Sequence, residues 1–285
     1  MVGSAASIVS FLRWRLVPVR YAGRVRHLRP HHLTPAARPV TEAGRRVEDT
    51  GHAEGPTASP ELLAELQGLY RPRIPAERPE GLKAPFVNLV KPEDLTPENP
   101  LMRLAFSPEV LDVAIDYFGG RCTLDSLQVL YSFPVREQGL SESQKWHLDY
   151  GDSRSFHCVM YLNDVLDDEH GPFVFVDKRD TRRIKRGMVI RRVEDAQFQA
   201  ELGDGTIRSF YAEAGRSVLI DPAACYHYGS RCKTGRLAVF VTFSSDKPFL
   251  NATPLVREHS GRILAAAKEL RPDLGGGALD KLLAV

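Results

Sequence analysis

Several features of other protein classes are missing from this sequence. No segment approaches the roughly 20 consecutive apolar residues that a membrane-spanning helix needs. The chain shows no internal repeat, no glycine-rich loop that could cradle a phosphate and no dinucleotide-binding fingerprint. With 43% hydrophobic and 26% charged residues, its composition is that of an ordinary soluble globular protein. These absences argue against a transmembrane protein, a repeat protein and the common nucleotide-binding folds.

Cysteine is also scarce, and the four that occur are Cys122, Cys158, Cys225 and Cys232. None forms a Cys-X-X-Cys pair, so neither a zinc site nor a disulfide framework is indicated in a chain of 285 residues. We expect four reduced residues in or near the core. Reduced cysteines favour a reducing compartment, and we predict a cytoplasmic location.

Acidic residues are absent from residues 1–40, which hold seven arginines. The remainder has 31 Lys and Arg against 36 Asp and Glu, so a basic head precedes a mildly acidic body. Residues 1–56 show little hydrophobic periodicity, and we predict a solvated or loosely docked arm there. A targeting presequence for an organelle, or a peripheral anchor to an anionic surface, is the alternative for this arm. Residues 57–285 are predicted to form one domain.

Helix signals flank the central part of the chain. Ser59-Pro60-Glu61 combines a capping residue with proline at the first helical position, before leucines at helical spacing. Residues 107–109 repeat this Ser-Pro-Glu signal, and Gly119-Gly120 ends the second helix. Further helix is predicted over residues 254–270 and 279–283. Proline-rich loops are predicted for residues 71–100.

Between these helices the pattern changes to short strands separated by turns. About eight strands, with helices before and after, indicate a mainly β fold of the antiparallel jelly-roll type. The predicted strands are Leu124–Phe133, Lys145–Tyr150, Phe156–Asn163, Pro172–Val176, Ile207–Ala212, Ser217–Ile220, Cys225–Tyr228 and Arg236–Phe243.

The strongest chemical signal is a His-X-Asp motif within the predicted strand Lys145–Tyr150. Alternate strand residues face the same side, so His147 and Asp149 would present an imidazole and a carboxylate with Cα atoms about 7 Å apart. A structural zinc site would need two more protein ligands, whereas an iron site with open positions needs only one. A lone His-X-Asp is weak evidence, but His227 lies 80 residues further on in another predicted strand. The three residues match the facial triad of iron(II) oxygenases.

A cationic side chain follows the predicted triad. Arg236 opens the last predicted strand, nine residues after His227. A dicarboxylate co-substrate that chelates iron at one end needs a cation for its far carboxylate, and a guanidinium binds carboxylate bidentately. The alternative for Arg236 is a surface arginine at a turn, and Arg231 is its rival for the co-substrate role.

Together these motifs resemble the phytanoyl-CoA dioxygenase (PhyH-like) family of 2-oxoglutarate- and iron(II)-dependent oxygenases. The resemblance covers roughly residues 124–245. It implies a double-stranded β-helix (jelly roll, cupin-like), with Fe(II) as cofactor and with 2-oxoglutarate and O2 as co-substrates. It also implies a reaction in which 2-oxoglutarate and O2 give succinate and CO2 while a substrate is hydroxylated. The residues that carry the resemblance are Trp146–Tyr150, Tyr161–Val165, Gly171–Phe173, His227 and Arg236.

The sequence departs from the family in two places. Residues 176–180 replace the Pro-Gly-Ser-His turn that is frequent in relatives. Many members also carry a serine two residues after the distal histidine, where it helps to hold 2-oxoglutarate. Here that position is Gly229, and the serine is Ser230. The carboxylate of Asp149 argues against the halogenating relatives, which lack it.

Several other side chains have more than one interpretation. Gln128, on the first strand of the β region, would hydrogen-bond 2-oxoglutarate or substrate, as the resemblance implies, or lie on a solvated face. His157 alternates in phase with Tyr161, and we predict a buried histidine rather than a ligand. Tyr131 and Tyr161 are predicted core aromatics. Trp146 is predicted to pack outside the barrel.

The sequence thus predicts a 2-oxoglutarate- and Fe(II)-dependent dioxygenase that hydroxylates a small organic substrate. The first alternative is a metal-binding, cupin-type protein without oxygenase activity, which would not need Arg236. The second is an oxygenase that acts on a macromolecule. The basic arm offers that alternative some support, but no interleaving of aromatic and basic residues gives a strong nucleic-acid signal.

Overall fold

The computed structural model describes residues 40–82, 84–135, 139–140, 142–149, 151–184, 192–246, 248, 250–275 and 279. Residues 1–39 of the predicted arm therefore lie outside the described residues, as does all of the predicted helix 279–283 except Leu279. The described part is mainly antiparallel β sheet with flanking helices, which confirms the coarse fold prediction. None of its helices is long and apolar enough to cross a membrane.

The helices lie mostly at the two ends of the chain. Ser59 caps α2 by accepting a hydrogen bond from the backbone N–H of Leu62 at 3.2 Å, as its sequence predicts. The second predicted helix begins with one π turn, Pro108–Asp112, and continues as α4. The helices are α1 (Glu42–Thr50), α2 (Pro60–Tyr70), α3 (Pro100–Ala105), α4 (Val113–Tyr117), α5 (Lys178–Thr181), α6 (Asp195–Leu202), α7 (Pro254–Glu258) and α8 (Ser260–Leu270).

Nine strands form two antiparallel sheets in the described residues. The strands are β1 (His52–Glu54), β2 (Phe86–Asn88), β3 (Cys122–Ser132), β4 (Ser155–Tyr161), β5 (Phe173–Val176), β6 (Ile207–Phe210), β7 (Ser217–Ile220), β8 (His227–Tyr228) and β9 (Arg236–Ser245). The larger sheet has six strands in the order β1-β7-β4-β9-β3-β2, and the smaller has three in the order β6-β5-β8.

The two faces of the larger sheet have different neighbours. Leu127, Phe156 and Val239 belong to the large hydrophobic core that this sheet forms with the helices. On the opposite face, Val159 and Ile220 pack with aromatic residues of β5 in the smaller sheet. This second face is the interior between the two sheets, and the chemical groups described below lie there.

Two predicted elements differ from the structure. Predicted strand Lys145–Tyr150 is reduced to two isolated bridges, at Trp146 and His147. After His147 the chain no longer pairs with a strand. The backbone N–H of Asp149 instead donates to the carbonyl of Pro222 at 2.9 Å. Tyr150 lies outside the described residues. The predicted helix 254–270 is divided at His259 into α7 and α8.

The basic arm predicted for residues 1–56 contains regular structure near its end. Residues 42–50 form α1, which Thr41 caps, and residues 52–54 form β1, which pairs with β7. These elements are short and contain few apolar residues, which is why the sequence interpretation missed them. Strand β2 likewise lies within the predicted proline-rich loop 71–100 and pairs with β3. The domain division itself stays a prediction.

Candidate metal centre and co-substrate site

Two histidines from distant parts of the chain lie side by side on adjacent segments of backbone. His147 and His227 form an antiparallel bridge in which each backbone N–H donates to the other residue's carbonyl at 3.0 Å. Their ring centroids are 4.2 Å apart, and both residues are buried. The bridge therefore adds the His147 segment to the edge of the smaller sheet, next to β8.

The orientation of both imidazoles is set by the backbone. Nδ1 of His147 lies 2.8 Å from the carbonyl oxygen of Lys145, and Nδ1 of His227 lies 3.0 Å from that of Cys225. A carbonyl oxygen only accepts hydrogen bonds, so each Nδ1 must carry the proton. Each Nε2 then keeps its lone pair. This is the tautomer that a metal-binding histidine requires, with its other nitrogen held by a carbonyl group.

Asp149 brings a carboxylate to the two free imidazole nitrogens. Its Oδ1 lies 3.6 Å from Nε2 of His147 and 3.8 Å from Nε2 of His227. The three potential ligand atoms lie within 4.8 Å of one another, so a single cation placed between them could contact all three. Two imidazoles and one carboxylate form the donor set of a facial triad.

The protonation states also suit metal binding. Burial, together with the charge of His227, lowers the pKa of His147 to about 3. Burial opposes ionisation of Asp149, but His227, His157 and His147 outweigh it and lower its pKa. His147 is therefore neutral, and Asp149 is ionised, at neutral pH. No proton has to be removed from either residue before it can bind a cation.

A third histidine faces the same carboxylate. Nε2 of His157 lies 3.6 Å from Oδ2 of Asp149, whereas His147 and His227 lie near Oδ1 of the same carboxylate. Burial lowers the pKa of His157 to about 4. Its side chain is 14% exposed, so the residue is mostly but not fully buried, and the sequence interpretation missed its position against Asp149. The only sequence signal was its phase with Tyr161, which does not say which face of the strand is the interior.

The predicted co-substrate arginine lies in the same interior. Arg236 is 2% exposed, and its Nη1 donates to the carbonyl of Gly171 at 2.6 Å. Its Nη2 donates to Oγ of Ser230 at 2.9 Å. Its Nε is buried and has no hydrogen-bond partner among the described residues. A buried guanidinium with an unused donor is costly unless a ligand accepts from it. The position is incompatible with the alternative of a surface arginine at a turn.

Ser230 reaches Arg236 by an unusual backbone conformation. It is the one non-glycine residue with positive φ, 62°, in the described part of the chain. This turns its hydroxyl toward Arg236 and to within 2.9 Å of Oγ of Ser132. A Cβ atom at Gly229 would lie 3.3 Å from Nη2 of Arg236, closer than most real Cβ contacts. Gly229 thus leaves room for the guanidinium, while the next residue supplies the hydroxyl.

The rival arginine is engaged elsewhere. Arg231 forms a bidentate ion pair with Asp195, with N–O distances of 2.7 and 2.8 Å, and its Nε donates to the carbonyl of Gln144. Its guanidinium also stacks over the ring of Tyr228 at 3.5 Å. Tyr228 packs with Trp146 on the outer side of the smaller sheet. Of the two candidates for the co-substrate role, Arg236 and Arg231, only Arg236 is directed at the interior.

The other residues singled out in the sequence lie on the faces that strand alternation gives them. Gln128 pairs with Phe240 of β9 and shares the interior face with Arg236, and its amide has no hydrogen-bond partner within the described residues. Trp146 stacks on Phe198 at 3.8 Å on the outer side of the smaller sheet, in agreement with its predicted outward packing. Tyr161 is fully buried, as expected for a core aromatic. All four cysteines are buried.

Asp152 is the other acidic residue close to the triad in sequence. Both of its carboxylate oxygens accept hydrogen bonds from backbone N–H groups, of Ser153 at 2.6 Å and of Ser245 at 2.8 Å. Burial is the main cause that raises its pKa to about 6. These bonds tie it to the chain and make it a structural residue.

Comparisons with known proteins show the fold. No protein-family model matches the sequence, and no curated protein matches it. EctD from S. alaskensis, solved with 2-oxoglutarate and 5-hydroxyectoine, is 17% identical over 75% of this chain and 81% of its own, with a TM-score of 0.52. The non-heme alpha ketoglutarate dependent carbocyclase SnoK from nogalamycin biosynthesis is 16% identical over 80% and 92% of the two chains, with a TM-score of 0.53.

A third similar structure contains a metal ion. The epimerase SnoN, in complex with Fe3+, alpha ketoglutarate and nogalamycin RO, is 16% identical over 75% of this chain and 85% of its own, with a TM-score of 0.53. At such low identity the likeness is one of fold. The chain therefore shares its fold with non-heme, 2-oxoglutarate-dependent iron enzymes that act on small molecules.

Proposed function

We propose that this protein is a 2-oxoglutarate- and Fe(II)-dependent dioxygenase that hydroxylates a small organic substrate. The proposal rests on one observation, namely that two groups of side chains lie in the same interior between the sheets. One is the His147, Asp149 and His227 set, with ligand atoms within 4.8 Å of one another, and the other is the buried Arg236. Either group alone is compatible with a different function. Together they fit a metal and a dicarboxylate bound to it.

The residues fit the implied metal and co-substrate. The two Nε2 atoms and the Asp149 carboxylate would hold Fe(II), since backbone carbonyls already occupy both Nδ1 protons. Arg236, with Ser230 beside it, would bind the far carboxylate of 2-oxoglutarate. His227 and Gly229 are two residues apart, so at most about 7 Å separates their Cα atoms, and Arg236 borders Gly229. A five-carbon dicarboxylate can span that distance.

Each part of the chain then has a role in the reaction. With Fe(II) bound, 2-oxoglutarate and O2 would supply the oxidant that hydroxylates the substrate. The triad residues would hold the metal, and Arg236 would orient the co-substrate by its charge. Gln128, directed into the same interior, would hydrogen-bond the co-substrate or the substrate.

The finer fold and family assignments belong to the same proposal. Two antiparallel sheets that face each other across the triad are the arrangement expected of a double-stranded β-helix, or jelly roll. We assign the chain to the PhyH-like group on its His147–Asp149 motif, His227 and Arg236. A cupin-type protein without oxygenase activity is disfavoured, because it would have no need of a buried arginine with an unused donor.

The proposal is tested by turnover of the co-substrate alone. Purified protein with Fe(II), ascorbate and O2 should slowly decarboxylate 2-oxoglutarate, and removal of the metal with a chelator should stop it. His147→Ala and His227→Ala should each abolish this turnover. His170→Ala is a matched control, because His170 lies in a surface turn and pairs with Asp167. Unchanged turnover in both triad variants would show that the ligand assignment is wrong.

Asp149→Gly tests the carboxylate separately. Loss of the carboxylate opens a metal position to water or halide, so hydroxylation should be lost while His147 and His227 remain in place. If hydroxylation were retained, another acid would have to supply the ligand. Asp152→Asn would then be the next variant to measure.

A further inference from the structure

Two charged side chains flank the triad without belonging to the metal set or to the Arg236 site. Arg192 lies beside His147 on the smaller sheet, and Asp125 lies on β3 of the larger sheet. They carry opposite charges and approach the triad from opposite sheets. Their positions follow from strand pairing.

Arg192 is placed by the bridge that precedes the triad. Trp146 and Val193 form an antiparallel pair, with N–O distances of 3.2 and 2.9 Å. Both pack on the outer side of the smaller sheet. Because neighbouring strand residues alternate between faces, the next pair places Arg192 alongside His147, on the interior face. Consistent with this, Arg192 is among the charges that lower the pKa of Asp149, after those of the three histidines.

Asp125 is placed by an irregularity in β3. The register between β3 and β9 shifts between Leu124 and Ser126, so Asp125 is the extra residue of a β-bulge. Bulges re-aim side chains and are frequent beside active sites. Ser126 pairs with Thr242, which in turn pairs with His157, the histidine that faces Asp149. The bulge therefore lies at the level of the triad.

The carboxylate of Asp125 has no hydrogen-bond or ion-pair partner among the residues that the structure describes. Its backbone carbonyl accepts from Thr253. Burial, and then the charge of Asp149, raise the pKa of Asp125 to about 6. A partly buried carboxyl group that no described residue pairs with is costly for the fold. A cationic group on a ligand would remove that cost.

We infer that the substrate is a small zwitterion, whose anionic group is bound by Arg192 and whose cationic group is bound by Asp125. A guanidinium pairs with carboxylate or phosphate, and a carboxylate pairs with an ammonium group. The triad lies between the two, so a molecule held at both ends presents its middle to the metal. The inference rests on the proposed function and specifies its substrate class.

The test begins with binding to the metal-free protein, measured by thermal shift and by calorimetry. The probes are the neutral protein amino acids and 4-aminobutyrate, with saturating succinate present to occupy the Arg236 site. The best zwitterion is then compared with its amine and its carboxylic acid, each of which lacks one charge. We expect at least one zwitterion to bind, and loss of either charge to weaken binding by roughly tenfold to a hundredfold. If no zwitterion binds, or if the single-charge analogues bind equally well, the inference is wrong.

Variants assign each charge to its residue. Asp125→Asn should weaken binding of the zwitterion and the amine but not of the acid, and Arg192→Gln should weaken the zwitterion and the acid but not the amine. Glu42→Gln and Arg46→Gln, an exposed pair on α1, are the matched controls and should change nothing. Equal effects on all three probes would overturn the assignment.

Failure of the inference can be told from failure of the proposed function. Decarboxylation of 2-oxoglutarate by a protein that binds no zwitterion would reject the substrate class alone. Zwitterion binding by a protein that never turns over 2-oxoglutarate would reject the oxygenase alone.

Discussion

The two faces of the six-stranded sheet perform different tasks with the same strands. On the outer face, β4 contributes Phe156 and Cys158 to the large core shared with the helices. On the inner face, the same strand presents His157, which faces Asp149. Strand β9 repeats the division, with Val239 outside and Arg236 inside. Because neighbouring residues of a strand point to opposite faces, one set of side chains stabilises the core and the alternate set lines the candidate site.

The difference between the two faces shows where this fold can bury polar side chains. Burying an arginine or a histidine costs free energy unless it is hydrogen-bonded, and the inner face meets part of that cost with Gly171, Ser132 and Ser230. The outer face contributes apolar burial. We therefore expect outer substitutions to change unfolding and inner substitutions to change ligand affinity, and the variants below test that separation.

The largest effect is expected for Phe156→Ala. Phe156 is fully buried in the outer core and packs near Tyr117 and Phe243, so truncation should destabilise the protein by about 3–5 kcal/mol. Denaturant unfolding measures the loss. Phe240→Ala on the inner face is the comparison, because Phe240 is only half-buried and should cost less. Equal losses from the two variants would contradict the division between the faces.

A smaller effect, on affinity alone, is expected for Arg236→Gln. Glutamine keeps some hydrogen bonding but removes the charge, and a hydrogen bond to a charged group contributes about 1.5–3 kcal/mol. The KM for 2-oxoglutarate should therefore rise roughly 10- to 150-fold, with iron affinity unchanged.

Arg231→Gln is the matched control for that variant, since Arg231 is paired with Asp195 on the outer side. Steady-state kinetics and iron occupancy on both variants give the answer. A large rise in KM for the Arg231 variant alone would transfer the role to that residue. No change in either would favour a cupin without oxygenase activity.

His157 should affect the metal rather than the co-substrate. Its Nε2 lies 3.6 Å from Asp149 Oδ2, and loss of a group that positions a metal ligand commonly weakens metal binding about 10- to 100-fold. His157→Phe should show this weakening in a chelator competition assay, and His157→Gln should restore part of the affinity. Identical metal affinity in the wild type and the Phe variant would make His157 a packing residue only.

Much of the fold could be predicted because its signals are local. Alternating apolar residues and intervening turns predicted seven of the strands to within a few residues, from Cys122–Ser132 to Arg236–Ser245. The metal motif could be predicted for the same reason, since two ligands are close in sequence and the third follows an Asp-Pro turn. Strand β1 could not be predicted from the sequence. It has only three residues, and its pairing with β7 is set by tertiary contacts.

The finer parts of the candidate site depend on which face of a strand is the interior. His157 and Asp125 have ordinary sequence surroundings, and only the register between β3, β9 and β4 brings them to the level of the triad. The role of Gly229 was also hidden, because its contact with Arg236 joins two strands across a turn. The ligand and co-substrate assignments themselves stay predictions until the variants are measured.

The smallest expected effect comes from adding one methyl group at Gly229. A Cβ there would lie 3.3 Å from Nη2 and 3.5 Å from Nη1 of Arg236, so Gly229→Ala should push the guanidinium off its preferred rotamer. Such a displacement costs about 0.5–1.5 kcal/mol, which predicts a roughly two- to tenfold rise in the KM for 2-oxoglutarate.

Gly68→Ala is the comparison, since a Cβ at Gly68 on α2 meets nothing within 4 Å. That variant should leave the KM unchanged and stabilise the helix by up to about 1 kcal/mol. Kinetics and thermal unfolding of both variants decide the matter. A lower melting temperature with an unchanged KM for Gly229→Ala would mean that this glycine serves the fold and not the co-substrate.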